Sequence, residues 1–136
     1  MATNISPQQA QDQLSEFITI LGQPARLNIL LALGIQEACV CHLEALLGYR
    51  QAAISQHLSI LRKADLVGSR RDGRHIYYSL ARPEVQTLLD RIVETAGLNR
   101  GALQFAASPI ADCPCPICNP ELDDALVCKP KTKKST

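Results

Sequence analysis

Residues 51–80 read QAAISQHLSILRKADLVGSRRDGRHIYYSL, and the fold turns on a change of period within them. In the first half, Ile54, Leu58 and Leu61 recur at helical spacing. Gln51, Ser55, Gln56, His57, Ser59, Arg62 and Lys63 occupy the other faces of the same helix, which is expected from about Gln51 to Ala64. From Val67 the period drops to two. Residues 67–71 and 74–80 flank Asp72-Gly73, a pair favoured in two-residue hairpin turns. Ile76, Tyr78 and Leu80 fall on one face of the second strand, His75, Tyr77 and Ser79 on the other, and Arg70, Arg71 and Arg74 make the tip basic. A helix followed at once by such a hairpin predicts a recognition helix and its wing.

The residues upstream supply the partner helices. A short helix is expected from near Cys41 to Leu47, stopped by Gly48, with Tyr49 and Arg50 as the turn into the next; this pairing is a helix-turn-helix. Before it, Pro24 opens a helix with Leu27, Leu30 and Leu31 at helical spacing, ended by Gly34. Ser6-Pro7 opens another, with Leu14, Phe17, Ile18 and Leu21 at helical spacing, closed by Gly22. After the hairpin, Pro83 begins a fifth helix carrying Val85, Leu88, Leu89, Ile92, Val93 and Ala96, with an extension past Gly97 and Gly101 toward Ala107. The expected class is mainly α with one small β-hairpin, a winged helix-turn-helix over residues 1–107. Five of the eight prolines lie beyond Ser108, so regular structure should stop there; residues 108–136 read as a Pro- and Cys-containing tail ending in a disordered basic segment.

Composition fits one small domain. The chain has 136 residues, 46% hydrophobic but only 4% aromatic and without Trp, so its core must be built from Leu, Ile, Val and Ala. No apolar run is long enough for a membrane span, and residues 1–12 lack the pattern of a secretory signal, so a cytoplasmic location is expected. There, six cysteines point to metal or redox chemistry rather than to a disulfide framework. The net charge of +1 conceals segregation: residues 50–75 hold six basic and two acidic side chains, whereas residues 1–49 hold one against four. A concentrated basic stretch is the electrostatic footprint of a nucleic-acid contact, although charge alone is equally consistent with a solvated basic face.

The segments LGQPARLNILLAL (21–33), CVCHL (39–43), AISQHLSILRKADLV (53–67) and RRDGRHIYYSL (70–80), in this order and spacing, resemble the ArsR/SmtB family of metal-sensing bacterial repressors, in its cysteine-based, CVC-containing branch. The resemblance spans about residues 14–95. It implies a homodimer joined mainly through the first and fifth helices, and operator binding that weakens when metal binds. Two features depart from the family pattern. The helix after the wing offers Asp90 and Glu94 but no histidine, so the His/Asp site of the family's zinc sensors is not expected. Glu44 stands where the arsenic sensors often carry a third cysteine.

The second helix of a helix-turn-helix presents its early residues to the major groove, here Gln51, Ala52, Ser55 and Gln56. His57 either joins them or packs within the protein. Arg62, Lys63, Arg70, Arg71 and Arg74 are expected to meet phosphates or the minor groove. The expected partner is operator double-stranded DNA carrying an inverted repeat, bound by a homodimer.

Cys39 and Cys41 mark the start of the third helix. Within a regular helix, residues two apart diverge, but in an extended lead-in both thiols can converge. A helix N-terminus also favours the thiolate. These two alone are equally consistent with small core residues. Cys113-Pro-Cys115-Pro-Ile-Cys118 adds three thiols on a backbone that its prolines keep from forming a helix, a strong thiolate-metal signal. Cys128 is a weaker candidate. Together the two clusters offer three or four thiolates for Cd, Pb, Zn or trivalent arsenic. His42, beside the first pair, could serve as a nitrogen ligand, but a surface position is expected for it. The same fold with a thiol-redox or reactive-sulfur effector is the nearest rival reading. A zinc-stabilised interaction module is another. A thiol enzyme is disfavoured, since no Cys-x-x-Cys lies in a βαβ pattern and no base–nucleophile pair is apparent.

Overall fold

The computed structural model describes residues 4–103. Cys113, Cys115, Cys118 and Cys128, and the proposed boundary near residue 108, lie outside the described residues. The element order is α1 (Pro7–Gly22), α2 (Pro24–Leu33), α3 (Val40–Leu47), α4 (Gln51–Lys63), β1 (Val67–Asp72), β2 (His75–Leu80), α5 (Pro83–Thr95) and a short 3-10 turn, Arg100–Ala102. This is a winged helix-turn-helix, as the sequence predicts.

Local chemistry sets most helix ends. Pro7, Pro24 and Pro83 each open a helix, where a missing N–H costs nothing. Ser6 and Gln9 form a reciprocal capping box on α1. The Gln23 side chain accepts from the N–H groups of Ala25 and Arg26 at the start of α2, while Arg26 Nε donates 2.8 Å to the carbonyl of Ile20 at the end of α1. Gly48 closes α3 in the left-handed region, at φ 74°.

Asp65, with φ 61°, is the one non-glycine described residue at positive φ. It ends α4 as glycine would: the Leu66 N–H reaches the Leu61 carbonyl, the Asp65 N–H reaches that of Arg62, and Leu66 is buried. Gly97 ends α5 in the same way, with Leu98 bonded to Val93 and Gly97 to Glu94. That closure corrects the expected extension of α5 toward Ala107, since a left-handed residue cannot continue a helix.

The core gathers Leu21, Ile29, Leu30, Leu43, Ile54, Leu58, Leu61, Leu66, Val85, Leu89 and Val93. All three stripe residues of α4 are at most 1% exposed, against α2 and α3. The first helix is less fully used: Phe17 and Leu21 turn inward, whereas Leu14 and Ile18 are 62% and 57% exposed.

The hairpin differs from expectation in its turn. Asp72 pairs with His75, so the two-residue turn is Gly73-Arg74 rather than Asp72-Gly73. Gly73 alone has positive φ there, the pattern of a turn with glycine at its first central position. The buried face of β2 carries His75 and Tyr77, while Ile76 is exposed. Period two separates the faces without saying which one the rest of the chain covers. A third strand position is supplied by Ala38, whose N–H and C=O both pair with Tyr78, at 2.9 and 2.8 Å.

Replacing Leu61 by Ala opens a cavity where the end of α4 meets the core. A loss of about 2–5 kcal/mol in unfolding free energy is expected, read as a lower urea midpoint.

Candidate nucleic-acid interface and thiol pair

Burial of Ile54, Leu58 and Leu61 dictates what α4 shows to solvent. Gln51, Ala52, Ser55, Gln56, Ser59, Arg62 and Lys63 are all exposed, on the side away from the core. The N-cap residue of α4, Arg50, makes no side-chain cap, so the positive end of the helix carries no internal anion. Across the hairpin, Arg71 and Arg74 are exposed and have no ion-pair partner among the described residues. Helix face, helix end and wing tip therefore place polar hydrogen-bonding groups beside cations, an arrangement suited to base edges flanked by phosphates.

Two expected contacts are placed differently. His57 lies on the flank of the α4 stripe, half-buried, and its Nδ1 is enclosed without a hydrogen-bond partner. Burial, reinforced by the nearby Arg26 charge, pulls its pKa below the usual histidine value. Of the two roles open to His57, packing is the one its position fits. Arg70, although exposed, is engaged within the chain. Its Nε donates to Glu37 Oε2 at 2.9 Å, a terminal nitrogen donates to Oε1, and the guanidinium lies 4.7 Å from the centre of the Tyr77 ring. These hydrogen bonds hold the Glu37 carboxyl below the usual carboxylate range, against a smaller opposing effect of burial. They also raise the guanidinium pKa.

At the start of α3 two cysteine sulfurs converge; Cys39 is a free thiol and Cys41 is disulfide-bonded. Cys39 is the N-cap residue, with extended dihedrals (φ −85°, ψ 170°), and Cys41 lies in the first turn. Their sulfurs are 3.1 Å apart. The extended N-cap residue makes this possible, since two positions inside the helix would point apart. No side chain caps α3, so the first-turn N–H groups present positive potential to the sulfurs. In reduced form, soft sulfur donors at this spacing suit a thiophilic ion, and two of them need further ligands. Among the described residues no group of three or more candidate metal ligands occurs.

His42 is 2% exposed, which corrects its expected surface position. The signal was available in the sequence: Cys39, His42, Leu43 and Leu46 share one helical face, and that face packs inward. On α5, Asp90 is hydrogen-bonded by Gln86 and Arg100, and Glu94 pairs with Arg91, so both carboxylates are engaged within the chain.

An exposed polar helix, a basic wing and a helix-turn-helix scaffold define a winged-helix DNA-binding regulator. The chain belongs to the arsR family of bacterial regulatory proteins, whose family model matches residues 23–69. It is 43% identical over 90 residues to a transcriptional repressor SmtB homolog from Synechocystis, covering 66% of this chain and 67% of that one. It is 34% identical over 82 residues to the arsenical resistance operon repressor of Escherichia coli, covering 60% and 69%. Among solved structures, the homodimeric winged helix-turn-helix domain of Mb0332 from Mycobacterium bovis superposes with a TM-score of 0.62 at 28% identity, covering 71% of this chain and 91% of that one. These relatives are regulators rather than enzymes. Among the described residues no helix is long and apolar enough to cross a membrane.

The enclosed His57 makes stability pH-dependent. Its folded pKa lies below the unfolded value of about 6.5, so the unfolded chain binds more protons in the interval between them. The stability present above that interval is lost as pH falls through it. The urea midpoint should decline from pH 7.5 to pH 5, and His57→Gln should flatten the decline.

Proposed function

We propose that this protein is a transcriptional repressor that binds operator DNA as a homodimer and releases it when cysteine thiolates capture a thiophilic ion. The observation that carries the proposal is the 3.1 Å approach of Cys39 and Cys41 at the start of α3, the helix that packs against α4. The remaining ligands are assigned to Cys113, Cys115 and Cys118, so that residues 108–136 act as a ligand-bearing tail on a 1–107 regulatory domain. This plan belongs to the CVC-containing branch of the family. The effector class is Cd, Pb, Zn or trivalent arsenic, and an arsenical resistance repressor among the relatives supports it.

The dimer is assigned to α1 and α5. Leu14 and Ile18 form an exposed i, i+4 pair on α1, and Leu88 and Ile92 a half-buried i, i+4 pair on α5. The homodimeric Mycobacterium bovis relative supports a dimer, and the two apolar pairs are what assign it to these helices. A two-fold dimer presents two copies of α4 to half-sites about one helical turn apart, so the operator should be an inverted repeat.

Gln51, Ser55 and Gln56 are assigned to base edges, and Arg62, Lys63, Arg71 and Arg74 to phosphates or the minor groove. Operator affinity should fall steeply with salt. Arg71→Ala or Arg74→Ala should weaken binding to every sequence and reduce the salt slope by about one. Gln56→Ala should also relax the sequence preference, by about 1–3 kcal/mol at the base it reads. Wild-type binding by the wing variants across a salt series would refute this docking.

Release requires that the ion bind the DNA-incompetent arrangement more tightly, with a coupling of typically about 1–3 kcal/mol. By reciprocity, operator weakens ion binding by the same factor. Cys39→Ser and Cys41→Ser should bind operator yet hold it when cadmium is added. The deciding measurement is cadmium affinity with and without operator; equal values exclude the coupling. The rival disulfide reading predicts instead that an oxidant, not cadmium, releases DNA and leaves a reducible cross-link on non-reducing electrophoresis.

A further inference from the structure

Arg70 has the sequence position of a phosphate contact and the geometry of something else. Both oxygens of Glu37 receive its hydrogen bonds, Tyr77 lies under its guanidinium, and Asp72 stands 3.7 Å away. In this arrangement one of the two bidentate edges of the guanidinium, the Nε edge, is already occupied. Arg71 and Arg74, beside it, are exposed and without an ion-pair partner among the described residues.

The partners of this cluster are adjacent in sequence to the thiols. Glu37 holds Arg70 of β1, Ala38 is bonded twice to Tyr78 of β2, and Cys39, 3% exposed, touches Cys41. Three consecutive residues thus attach to the first wing strand, the second wing strand and the thiol pair. Neighbouring Cα atoms are a fixed ~3.8 Å apart, so Cys39 cannot shift far while residues 37 and 38 stay where they are. By contrast, the route from the thiols to α4 passes through side-chain packing between two helices.

We propose that Glu37, Arg70 and Tyr77 form a latch that seats the wing against residues 37–39, making Arg70 a positioning residue for DNA binding rather than a phosphate contact, and making the wing the element through which the thiol pair acts. The regulatory half of this inference rests on the reading of Cys39 and Cys41 as effector ligands; the positioning half does not. Drawing the Cys39 sulfur toward an ion displaces the 37–39 segment, strains the Ala38–Tyr78 pairing and opens the Glu37–Arg70 pair, so that the wing leaves its DNA-competent position.

The test is operator binding by the full chain, with and without cadmium, for Glu37→Gln, Arg70→Gln, the double variant and Arg70→Lys. The latch predicts that Glu37→Gln weakens metal-free binding by about fivefold or more, that Arg70→Gln does the same, and that the double variant is no weaker than either single one. Arg70→Lys keeps the charge but loses the bidentate, stacked geometry, and should behave like Arg70→Gln. A phosphate contact predicts the reverse: Glu37→Gln binds as well as or better than wild type, because Arg70 is released, and Arg70→Lys stays close to wild type. Either of those results overturns the positioning role.

With cadmium, loading is followed by thiolate-to-cadmium absorption. Each latch variant should load cadmium yet lose less affinity for operator than wild type does. An undiminished loss overturns the regulatory half. A wild-type protein that loads cadmium and keeps its operator affinity overturns both the proposed function and that half, while the metal-free comparison still decides whether Arg70 positions the wing.

Discussion

Everything displayed by this protein depends on the burial of one stripe of α4. Ile54, Leu58 and Leu61 are enclosed between α2 and α3, and a helix with one face fixed has its opposite face fixed as well. The polar side chains from Gln51 to Lys63 are therefore aimed by the core, not by contacts of their own. Stability and display are the same constraint here, since a loosened stripe would let α4 rotate and scramble the presented residues. The capping of α1 and α2 by Gln23 and Arg26, and the left-handed exit at Asp65, hold the ends of the frame in which that stripe sits.

Much of this was legible in local sequence, because local rules produce it. Proline at three helix starts, glycine after α3 and the change of period at Val67 each act within a few residues, and each marks an element where it occurs. The approach of Cys39 to Cys41 was legible for the same reason, as a property of the junction between extended chain and helix. What escaped depends on distance along the chain. Glu37 and Arg70 are separated by 33 residues, and no local pattern pairs them. The choice of the His75–Tyr77 face over the Ile76 face of β2 is also a tertiary decision, as both faces offer apolar surface. The end of α4 near Ala64 was legible too, although Asp65 there takes the left-handed role that glycine ordinarily fills. His42 is buried because its position on the Cys39–Leu43–Leu46 face outweighs the preference of a polar ring for the surface.

The electrostatics of the chain follow the same division. Carboxylates near the hairpin and α5 are consumed by internal partners: Glu37 by Arg70, Asp90 by Arg100, Glu94 by Arg91. Arg62, Lys63, Arg71 and Arg74 have no ion-pair partner among the described residues, so α4 and the wing tip keep a basic character within a nearly neutral protein. The thiol pair is set apart from those cations. It sits at a helix start without a side-chain cap, where the backbone supplies the positive potential.

The single bridge through Ala38 also settles which border of the hairpin stays open. Ala38 covers the outer side of β2, and among the described residues no strand covers the outer side of β1. An uncovered strand invites another chain to pair with it, and charged side chains are one means by which proteins prevent this. Here that border carries Arg70 and Arg71, with Arg74 just around the turn. The cations assigned to a polyanion, Arg71 and Arg74, thus stand where they also keep one wing from adding to another. A wing stripped of them would be poorer at holding DNA and also more adhesive toward its own kind.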